Sequence, residues 1–221
     1  MSRKVGLWMM LLGLCMLLAS GAWFLYNRHE DVQAGAAAQE RLSNLIIQIR
    51  ENQTASSPEE SGFQPIDLPE GVWMPEEPTA PEPEEPQEPT MPALEVDGES
   101  YIGYLTMPTI DIELPIMADW NYDKLLRAPC YYYGTIETGN LVLMAHNYTR
   151  HFGKLSLLTA GAPIYFVDIY GQQTEYKVLY RETLSPDCVP ELKGGVYDLT
   201  LFTCTYSGAN RIVVRCEQVS P

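Results

Sequence analysis

The sequence predicts a mainly β domain, a barrel or a sandwich, carried behind an N-terminal membrane-spanning helix and an extended linker. Three observations predict this arrangement. Val5 to Tyr26 is a 22-residue stretch without a charged residue, long enough to cross a bilayer as a helix. Ten of the 17 prolines lie between Pro58 and Pro92, interleaved with glutamates. Beyond residue 94, short strand-like runs alternate with turn signals, which is typical of a β-barrel or sandwich.

Residues 1–30 are predicted to be a transmembrane signal-anchor. Arg3 and Lys4 precede the apolar stretch, so the positive-inside rule places the N-terminus in the cytoplasm and the rest of the chain outside the cell. The predicted location is therefore the cell membrane, with a single pass and an extracellular domain. A cleaved signal peptide is the alternative, because residues 19–22 are small. The apolar run continues past them through residue 26, which favours an uncleaved anchor.

Residues 31–57 are predicted to form a juxtamembrane helix. Its apolar side chains recur at intervals of three and four: Ala38, Leu42, Leu45, Ile46 and Ile49. This short stripe fits two alternatives. One is a stalk that pairs with a second copy of the chain, and the other is a marginally stable lone helix, which we favour.

Residues 58–93 are predicted to be a disordered Pro/Glu-rich spacer. Proline fixes φ and removes backbone donors, and the glutamates repel one another, so this segment cannot bury a core. In the polyproline form it would reach on the order of 100 Å and hold the domain away from the membrane. A docking site for a proline-binding partner is the alternative.

The acidity of the chain resides mostly in this middle segment. Residues 51–94 carry 11 Asp/Glu and no Lys/Arg, whereas the whole chain has a net charge of −15. The charge therefore says little about a ligand. No basic stripe is present to neutralise phosphates, which argues against nucleic acid as a partner.

Residues 94–221 are predicted to be one independent domain, since about 125 residues suffice for a single core. Its strand-like runs are Tyr101 to Met107, Ile110 to Met117, Asn140 to Ala145, Pro163 to Ile169, Thr174 to Arg181, Tyr197 to Thr203 and Arg211 to Glu217. Two segments between them, Tyr122 to Arg127 and Phe152 to Thr159, are predicted as short helices.

One predicted hairpin carries the most chemical information. A strand-like run delivers Cys204 to its C-terminal end, six residues reverse the chain, and Arg211 opens the return strand. Directly opposed residues of an antiparallel pair share one face. A thiol beside a permanent cation is biased toward thiolate, the nucleophilic form. Arg215 would share that face, and we expect it to be a solvated surface residue.

The chain has three histidines, and His146 ends another apolar strand, which makes it the candidate base for Cys204. His151 is the rival within the domain, but we expect it to be exposed in a turn. His29 abuts the anchor. Of the five cysteines, Cys130, Cys188 and Cys216 are expected to be small buried residues, with Cys216 facing away from Arg211. Disulfides among these three stay open, and no metal-ligand spacing is present.

At these residues the sequence resembles the sortases, membrane-anchored cysteine transpeptidases of mainly Gram-positive bacteria. Residues 200–204, Thr-Leu-Phe-Thr-Cys, fit the TLxTC signature. His146-Asn147 stands where sortases carry Gly-His-Asn, with Ala145 replacing the glycine. The order His, Cys, Arg is also that of sortases. The resemblance spans roughly residues 101–217 and implies a closed mixed β-barrel with short peripheral helices.

The resemblance also implies a mechanism. Cys204 would attack the Thr–Gly carbonyl of an LPxTG-like sorting signal, and His146 would act as proton donor and acceptor. Arg211 would stabilise the oxyanion or bind the substrate, supported by Thr203 and by a backbone N–H near Thr205. The partners implied are surface proteins with a C-terminal sorting signal and an amine acceptor, such as a peptidoglycan precursor or a pilin lysine. No cofactor is required; some sortases bind calcium, and nothing in this sequence marks such a site.

Two other functions fit the same residues. One is a cysteine endopeptidase on the same barrel, with water as acceptor. The other is a non-catalytic stalked binding module in which Cys204 is structural. The subclass is predicted to be class B-like or class D-like. The sequence shows no Asp-Pro-aromatic lid and no second apolar span after the domain, which argues against the pilus-polymerising type.

Overall fold

The computed structural model describes residues 3–55 and 90–219. The predicted spacer at 58–93 lies almost entirely outside these residues. The described part consists of one long N-terminal helix, α1 (Arg3–Ala55), and a β domain. The nine strands of that domain are β1 (Leu94–Val96), β2 (Glu99–Met107), β3 (Ile112–Met117), β4 (Cys130–Tyr133), β5 (Leu141–Met144), β6 (Pro163–Asp168), β7 (Gln173–Leu184), β8 (Leu199–Cys204) and β9 (Arg211–Gln218).

Short helices connect these strands at the edge of the β domain. Two are α-helical, α2 (Tyr122–Leu125) and α3 (Val189–Lys193), and two are 3₁₀ turns, Pro108–Ile110 and Phe152–Leu157. Asn121 caps α2, since its side-chain oxygen accepts a hydrogen bond from the backbone N–H of Lys124 at 2.8 Å.

The sheet closes into a barrel of eight strands. The order of neighbouring strands is β1-β2-β3-β4-β5-β8-β9-β7-β6, and β6 pairs again with β2 to close the ring. β1 lies outside the ring as a hairpin extension of β2. Closure leaves no open edge among the eight barrel strands. The predicted mainly β, closed mixed barrel with short helices is therefore confirmed.

Two strand pairs are parallel and make the barrel mixed. β3 meets β4 in parallel through Met117 and Cys130. β5 pairs in parallel with β8 over four residues, from Leu141 with Leu199 to Met144 with Phe202. The remaining pairs around the ring are antiparallel.

Alternation along each strand fills the barrel with apolar side chains. On β8, Leu199 and Leu201 belong to the interior core, whereas Phe202 packs in a separate cluster on the outside with Leu192 of α3. On β9, Cys216 points inward beside Leu199 and Leu201, as predicted. Side chains of a strand alternate between its two faces, so Cys204, two residues after Phe202, belongs to the outer face.

Helix α1 differs from its prediction in two ways. First, the anchor and the juxtamembrane helix are one continuous helix of 53 residues. The described helix contains no proline, and its glycines lower helix propensity without removing a backbone donor, so nothing in the sequence forces a break.

Second, α1 neither stands alone nor exposes its apolar stripe for a second copy. Five residues on one face are buried against the β domain: Ala34, Ala38, Leu42, Leu45 and Ile49. Leu45 and Ile49 pack with Tyr101 of β2 and Met117 of β3. The apolar stripe predicted from the sequence is present, but it packs against the barrel and not against a second helix.

The N-terminal part of α1 projects beyond the barrel. Its apolar residues from Leu7 to Tyr26 are exposed, and by length and composition this helix alone among the described residues is suited to crossing a membrane. This arrangement is compatible with a single-pass anchor.

The sequence predicted most strands but missed four short elements. These are β1, β4, α3 and the 3₁₀ turn Pro108–Ile110, which have three to five residues, too few to display a periodicity. The strand predicted from Ile110 accordingly begins at Ile112. β7 is also longer than predicted, because it continues to Leu184.

Packing of α1 on the barrel makes a testable contribution to stability. Replacing Leu45 with alanine removes a fully buried side chain, and we expect the free energy of unfolding to fall by about 2–4 kcal/mol. Ile47 is 53% exposed two residues further on, so Ile47→Ala is the matched control and should cost no more than about 0.5 kcal/mol. Chemical denaturation of the full chain in detergent measures both. Equal losses for the two variants would show that the helix does not pack as described.

Candidate active site

Cys204 is the last residue of β8 and lies opposite Arg211, the first residue of β9. The predicted hairpin and its register are therefore correct. Cys204 is partly exposed on the outer face of the barrel. The connecting turn is held by the backbone N–H of Thr205, which donates to the Asn210 carbonyl at 2.9 Å.

His146 follows β5, which runs parallel to β8. The backbone N–H of Ala145 donates to the Phe202 carbonyl at 3.3 Å, which extends the register by one residue beyond the strand. Continuing it once more puts His146 level with Cys204. Because Met144 lies beside Phe202 in the outer cluster, alternation turns His146 to the same outer face as Cys204.

Two side-chain hydrogen bonds tie the histidine segment to the cysteine segment. Thr203 is buried, and its hydroxyl donates to the Ala145 carbonyl at 2.8 Å. The side-chain amide of Asn147 donates to the Thr205 carbonyl at 3.3 Å. The residues before and after Cys204 are thus hydrogen-bonded to the residues before and after His146. The sequence prediction included Thr203 but gave no role to Asn147, although it directly follows the histidine in the motif.

The guanidinium of Arg211 caps its own turn. Its Nη1 donates to the carbonyls of Gly208 and Asn210, each at 3.2 Å. Both bonds use the same nitrogen, so Nε and Nη2 of the guanidinium take no part in holding the turn.

Thr205, near which a backbone oxyanion donor was predicted, makes its own hydrogen bonds within the turn. Its backbone N–H is already bonded to the Asn210 carbonyl, and its hydroxyl accepts a hydrogen bond from the Asn210 backbone N–H at 3.1 Å. Thr205 therefore stabilises the turn between Cys204 and Arg211. In this arrangement its N–H is not available to an oxyanion.

Burial lowers the pKa of His146 below its ordinary value. The imidazole packs on the ring of Tyr148, with the two ring centroids 5.2 Å apart. At neutral pH the resting imidazole is therefore mainly neutral and able to accept a proton.

Comparison with known proteins agrees with this geometry. The family model for the Sortase domain matches residues 105–219. The chain belongs to the sortase family. Sortases are cysteine transpeptidases, so the sequence resemblance is confirmed at the level of the family.

Solved sortases share the fold over the β domain. Sortase C1 of pilus island 1 from GBS is 29% identical, with a TM-score of 0.50 over 58% of this chain and 68% of that one. Sortase A from Corynebacterium diphtheriae is 25% identical, with a TM-score of 0.50 over 56% and 62%. Sortase C2 of pilus island 1 from group B Streptococcus is 27% identical, with a TM-score of 0.50 over 57% and 77%. The comparison with curated proteins gave no match.

Cys204 is distinguished from the other three thiols of the β domain by its exposure. Cys130, Cys188 and Cys216 are buried, as predicted, and the question of disulfides among them is answered, because all three are free thiols. Burial raises the pKa of Cys130 and of Cys216 to about 12 and also raises that of Cys188. A thiol held protonated in this way is a poor nucleophile.

Arg215 is buried, which contradicts the expectation of a solvated surface residue. It is 2% exposed, and each of its three guanidinium nitrogens has a partner. Nε donates to the Glu182 carboxylate at 2.8 Å, Nη1 to the Thr200 hydroxyl at 3.1 Å and Nη2 to the Glu191 carbonyl at 3.0 Å. Arg215 thus connects β7, β8, β9 and α3, whereas Arg211 on the same strand face holds only its turn.

His151 is also buried, although it was predicted to be exposed. It lies in a turn, as expected, but its side chain is 0% exposed beneath α1, and neither ring nitrogen has a hydrogen-bond partner among the described residues. Burial lowers its pKa to about 4. The nearby His146 adds to this shift, whereas the Ala34 carbonyl and the Asp31 carboxylate of α1 oppose it.

The described residues contain no group of three or more His, Cys, Asp or Glu side chains placed to hold a metal ion. Beside the site, a groove of 1370 Å³ separates α1 from the barrel. Asn147, Tyr148 and Tyr206 line it on the barrel side, and Trp23 and Phe24 line it on the helix side. The groove therefore extends from the site toward the exposed end of α1.

Burial of His151 makes stability depend on pH in a defined window. The folded protein holds this imidazole neutral down to about pH 4, whereas the unfolded chain binds a proton near pH 6.5. The stability from this residue is present above about pH 6.5 and is lost as the pH falls toward 4. At pH 5 the loss is about 2 kcal/mol.

His151→Leu should remove this share of the pH dependence between pH 7 and pH 5, measured by chemical denaturation. His29 is exposed, so His29→Leu is the control and should keep the wild-type dependence. His146 contributes in the same direction and is present in both variants. If His151→Leu and wild type lose the same free energy on acidification, the imidazole is not held neutral by burial.

Proposed function

We propose that this sortase cleaves an LPxTG-like sorting signal between threonine and glycine and transfers the acyl group to an amine. The observation that supports this most directly is the meeting of three strand ends on the outer face of the barrel. The ends of β5 and β8 and the start of β9 supply His146, Cys204 and Arg211. A nucleophile, a base and a fixed cation are the groups that acyl transfer through a thioester requires.

The first step forms the thioester. His146 accepts the proton of the Cys204 thiol, and the sulfur attacks the threonine carbonyl carbon. Arg211 stabilises the negative oxygen of the tetrahedral intermediate with the free edge of its guanidinium. As the intermediate collapses, the C–N bond breaks and the imidazolium of His146 gives its proton to the departing amine.

The second step resolves the thioester. The acceptor amine attacks the carbonyl carbon, and His146 takes a proton from its nitrogen. The C–S bond then breaks, and Cys204 leaves as a thiolate. The new amide is released, and the proton on His146 returns to the sulfur, which restores the resting enzyme.

The proposed partners follow from this chemistry and from the anchor. The acyl donors are surface proteins that carry a C-terminal sorting signal. The acceptor is an amine, such as that of a peptidoglycan precursor or a pilin lysine. We place the enzyme in the cell membrane with residues 1–30 as the anchor, the N-terminus in the cytoplasm and the catalytic domain, residues 94–221, outside. Arg3 and Lys4 before the apolar stretch support this orientation.

The proposed reaction is tested with the full chain in detergent and a fluorogenic LPxTG peptide, with and without an amine acceptor. We expect an amide product when the amine is present and a peptidyl adduct on Cys204 detectable by mass spectrometry. His146→Ala should lower kcat about 100- to 10,000-fold because general acid–base help is lost. His29→Ala is the matched control and should keep the wild-type rate.

Two results would contradict this assignment. A folded His146→Ala variant with a wild-type rate would exclude His146 as the base. Hydrolysis at the same rate with no amide product, at every amine concentration, would identify the protein as an endopeptidase instead of a transpeptidase.

The two arginines of β9 offer a second test, because the same change to lysine should affect activity at Arg211 and stability at Arg215. Arg211→Lys should lower the melting temperature only slightly, because it removes exposed hydrogen bonds within one turn. It should lower kcat about 100- to 1000-fold, because a lysine lacks the planar guanidinium. Arg215→Lys should instead lower the free energy of unfolding by about 2–3 kcal/mol, since it breaks buried hydrogen bonds to Glu182, Thr200 and Glu191. Thermal melts and initial rates separate the two effects. A similar activity loss in both variants, with both fully folded, would contradict this division of roles.

A further inference from the structure

The loop after His146 folds into a compact unit. The backbone N–H of Phe152 donates to the His146 carbonyl at 3.2 Å. The backbone N–H groups of His151 and Gly153 both donate to the Tyr148 carbonyl at 2.9 Å. A Cβ on Gly153 would lie 2.5 Å from the Asn147 carbonyl oxygen, so the turn is tight enough to need a glycine there. Residues 146–153 are therefore joined to one another by backbone hydrogen bonds, which link the position of Tyr148 to that of His151 and Gly153.

Helix α1 contacts the other end of this loop. The Asp31 carboxylate accepts a hydrogen bond from the backbone N–H of Arg150 at 3.2 Å. Gly35 is buried, and a Cβ built there would lie 2.0 Å from Cδ and 2.8 Å from Cβ of Arg150. Ala34 and Ala38 are buried on the same side of the helix. The absence of larger side chains at these positions lets the helix backbone approach the loop closely.

Tyr148 connects the helix contact to the catalytic histidine. Its ring centroid lies 5.2 Å from that of His146 and 5.5 Å from that of the buried His151. Burial raises the pKa of Tyr148, and the carboxylates of Glu30 and Asp31 on α1 raise it further. The tyrosine thus packs against the imidazole of His146 and faces the carboxylates of Glu30 and Asp31 across the groove.

We propose that the face of α1 that carries Asp31, Gly35 and Ala38 is a positioning element for His146. While this face is docked, it holds the loop so that Tyr148 packs against the imidazole, and when it leaves, the imidazole is free to turn away from Cys204. The proposal rests on the catalytic role proposed for His146 and assigns a part in the reaction to the helix that continues from the membrane anchor.

The physical case depends on how His146 is supported. It lies two residues beyond the end of β5, so the parallel strand pair fixes its backbone but not its ring. The ring is fixed by packing on Tyr148. A reacting group displaced by about 1 Å can lose on the order of 100-fold in rate even when the change is remote from it. Loss of the base affects the chemical step and not the binding of the peptide, so kcat should fall while KM stays constant.

Gly35→Leu tests the proposal in the full chain reconstituted into nanodiscs, because it inserts a side chain between the helix and Arg150. We expect kcat for the sorting peptide to fall about 10- to 100-fold, with KM within about twofold of wild type. Ala36 is exposed on the same helix, so Ala36→Leu is the matched control and should retain the wild-type kcat. Asp31→Ala should also lower kcat, and Asp31→Asn should restore it, because an amide oxygen can still accept the Arg150 hydrogen bond.

A spectroscopic measurement distinguishes positioning from a general loss of structure. Burial lowers the pKa of His146, so release of the loop should return it toward the ordinary value. NMR titration of the histidine ring, carried out on the Cys204→Ala background, should therefore show a higher pKa for His146 in Gly35→Leu than in the parent or in Ala36→Leu. This readout does not depend on catalysis.

The outcomes separate this proposal from the proposed function. A wild-type kcat in Gly35→Leu, or equal losses in Gly35→Leu and Ala36→Leu, would overturn the positioning role while leaving the catalytic assignment intact. An unchanged His146 pKa in an impaired Gly35→Leu variant would also overturn it. If His146→Ala itself stays active, the catalytic assignment fails, and the titration then reports only whether the helix controls the loop.

Discussion

The parallel pairing of β5 with β8 is the constraint on which the site depends. Parallel strands end at the same edge of a sheet, so this one pairing delivers His146 and Cys204 to the same place from positions 58 residues apart in the sequence. An antiparallel pairing of the same strands would carry the two residues to opposite ends. The hairpin from β8 to β9 then adds Arg211 without further long-range contacts, because its register places Arg211 directly opposite Cys204. Thr203 and Asn147 reinforce the junction from either side.

The β8–β9 hairpin was predictable because its signals are local. Two short strand-like runs indicated the strands, and the six residues between them indicated the turn. The alternation of side chains between the two faces of a strand correctly placed Cys216 inside the barrel. The parallel pairing of β5 with β8, in contrast, has no local signal, and only the resemblance to sortases implied a mixed barrel. The short strand β4 was missed because four residues cannot show a period.

The wrong predictions concern polar residues whose partners lie far away in the sequence. Arg215 was predicted to be solvated because nothing nearby in the chain could pair with it, yet its carboxylate partner is Glu182, 33 residues earlier. His151 was predicted to be exposed because its neighbours form a turn, yet α1 covers it. In both cases the burial of a polar group depends on a surface that only the folded chain creates. The same holds for the α1 stripe, whose spacing was visible in the sequence and whose partner was not.

The continuity of α1 has a mechanical consequence. One unbroken helix both contains the apolar stretch and docks on the barrel. From Tyr26 to Gly35 the helix rises about 14 Å along its axis, so this distance separates the end of the apolar stretch from the helix contact with the loop of His146. With the anchor proposed above, this helix, and not residues 58–93, would set the distance between the membrane and the β domain. A membrane-held acyl donor would then have to present its cleavage site at the height of His146 and Cys204.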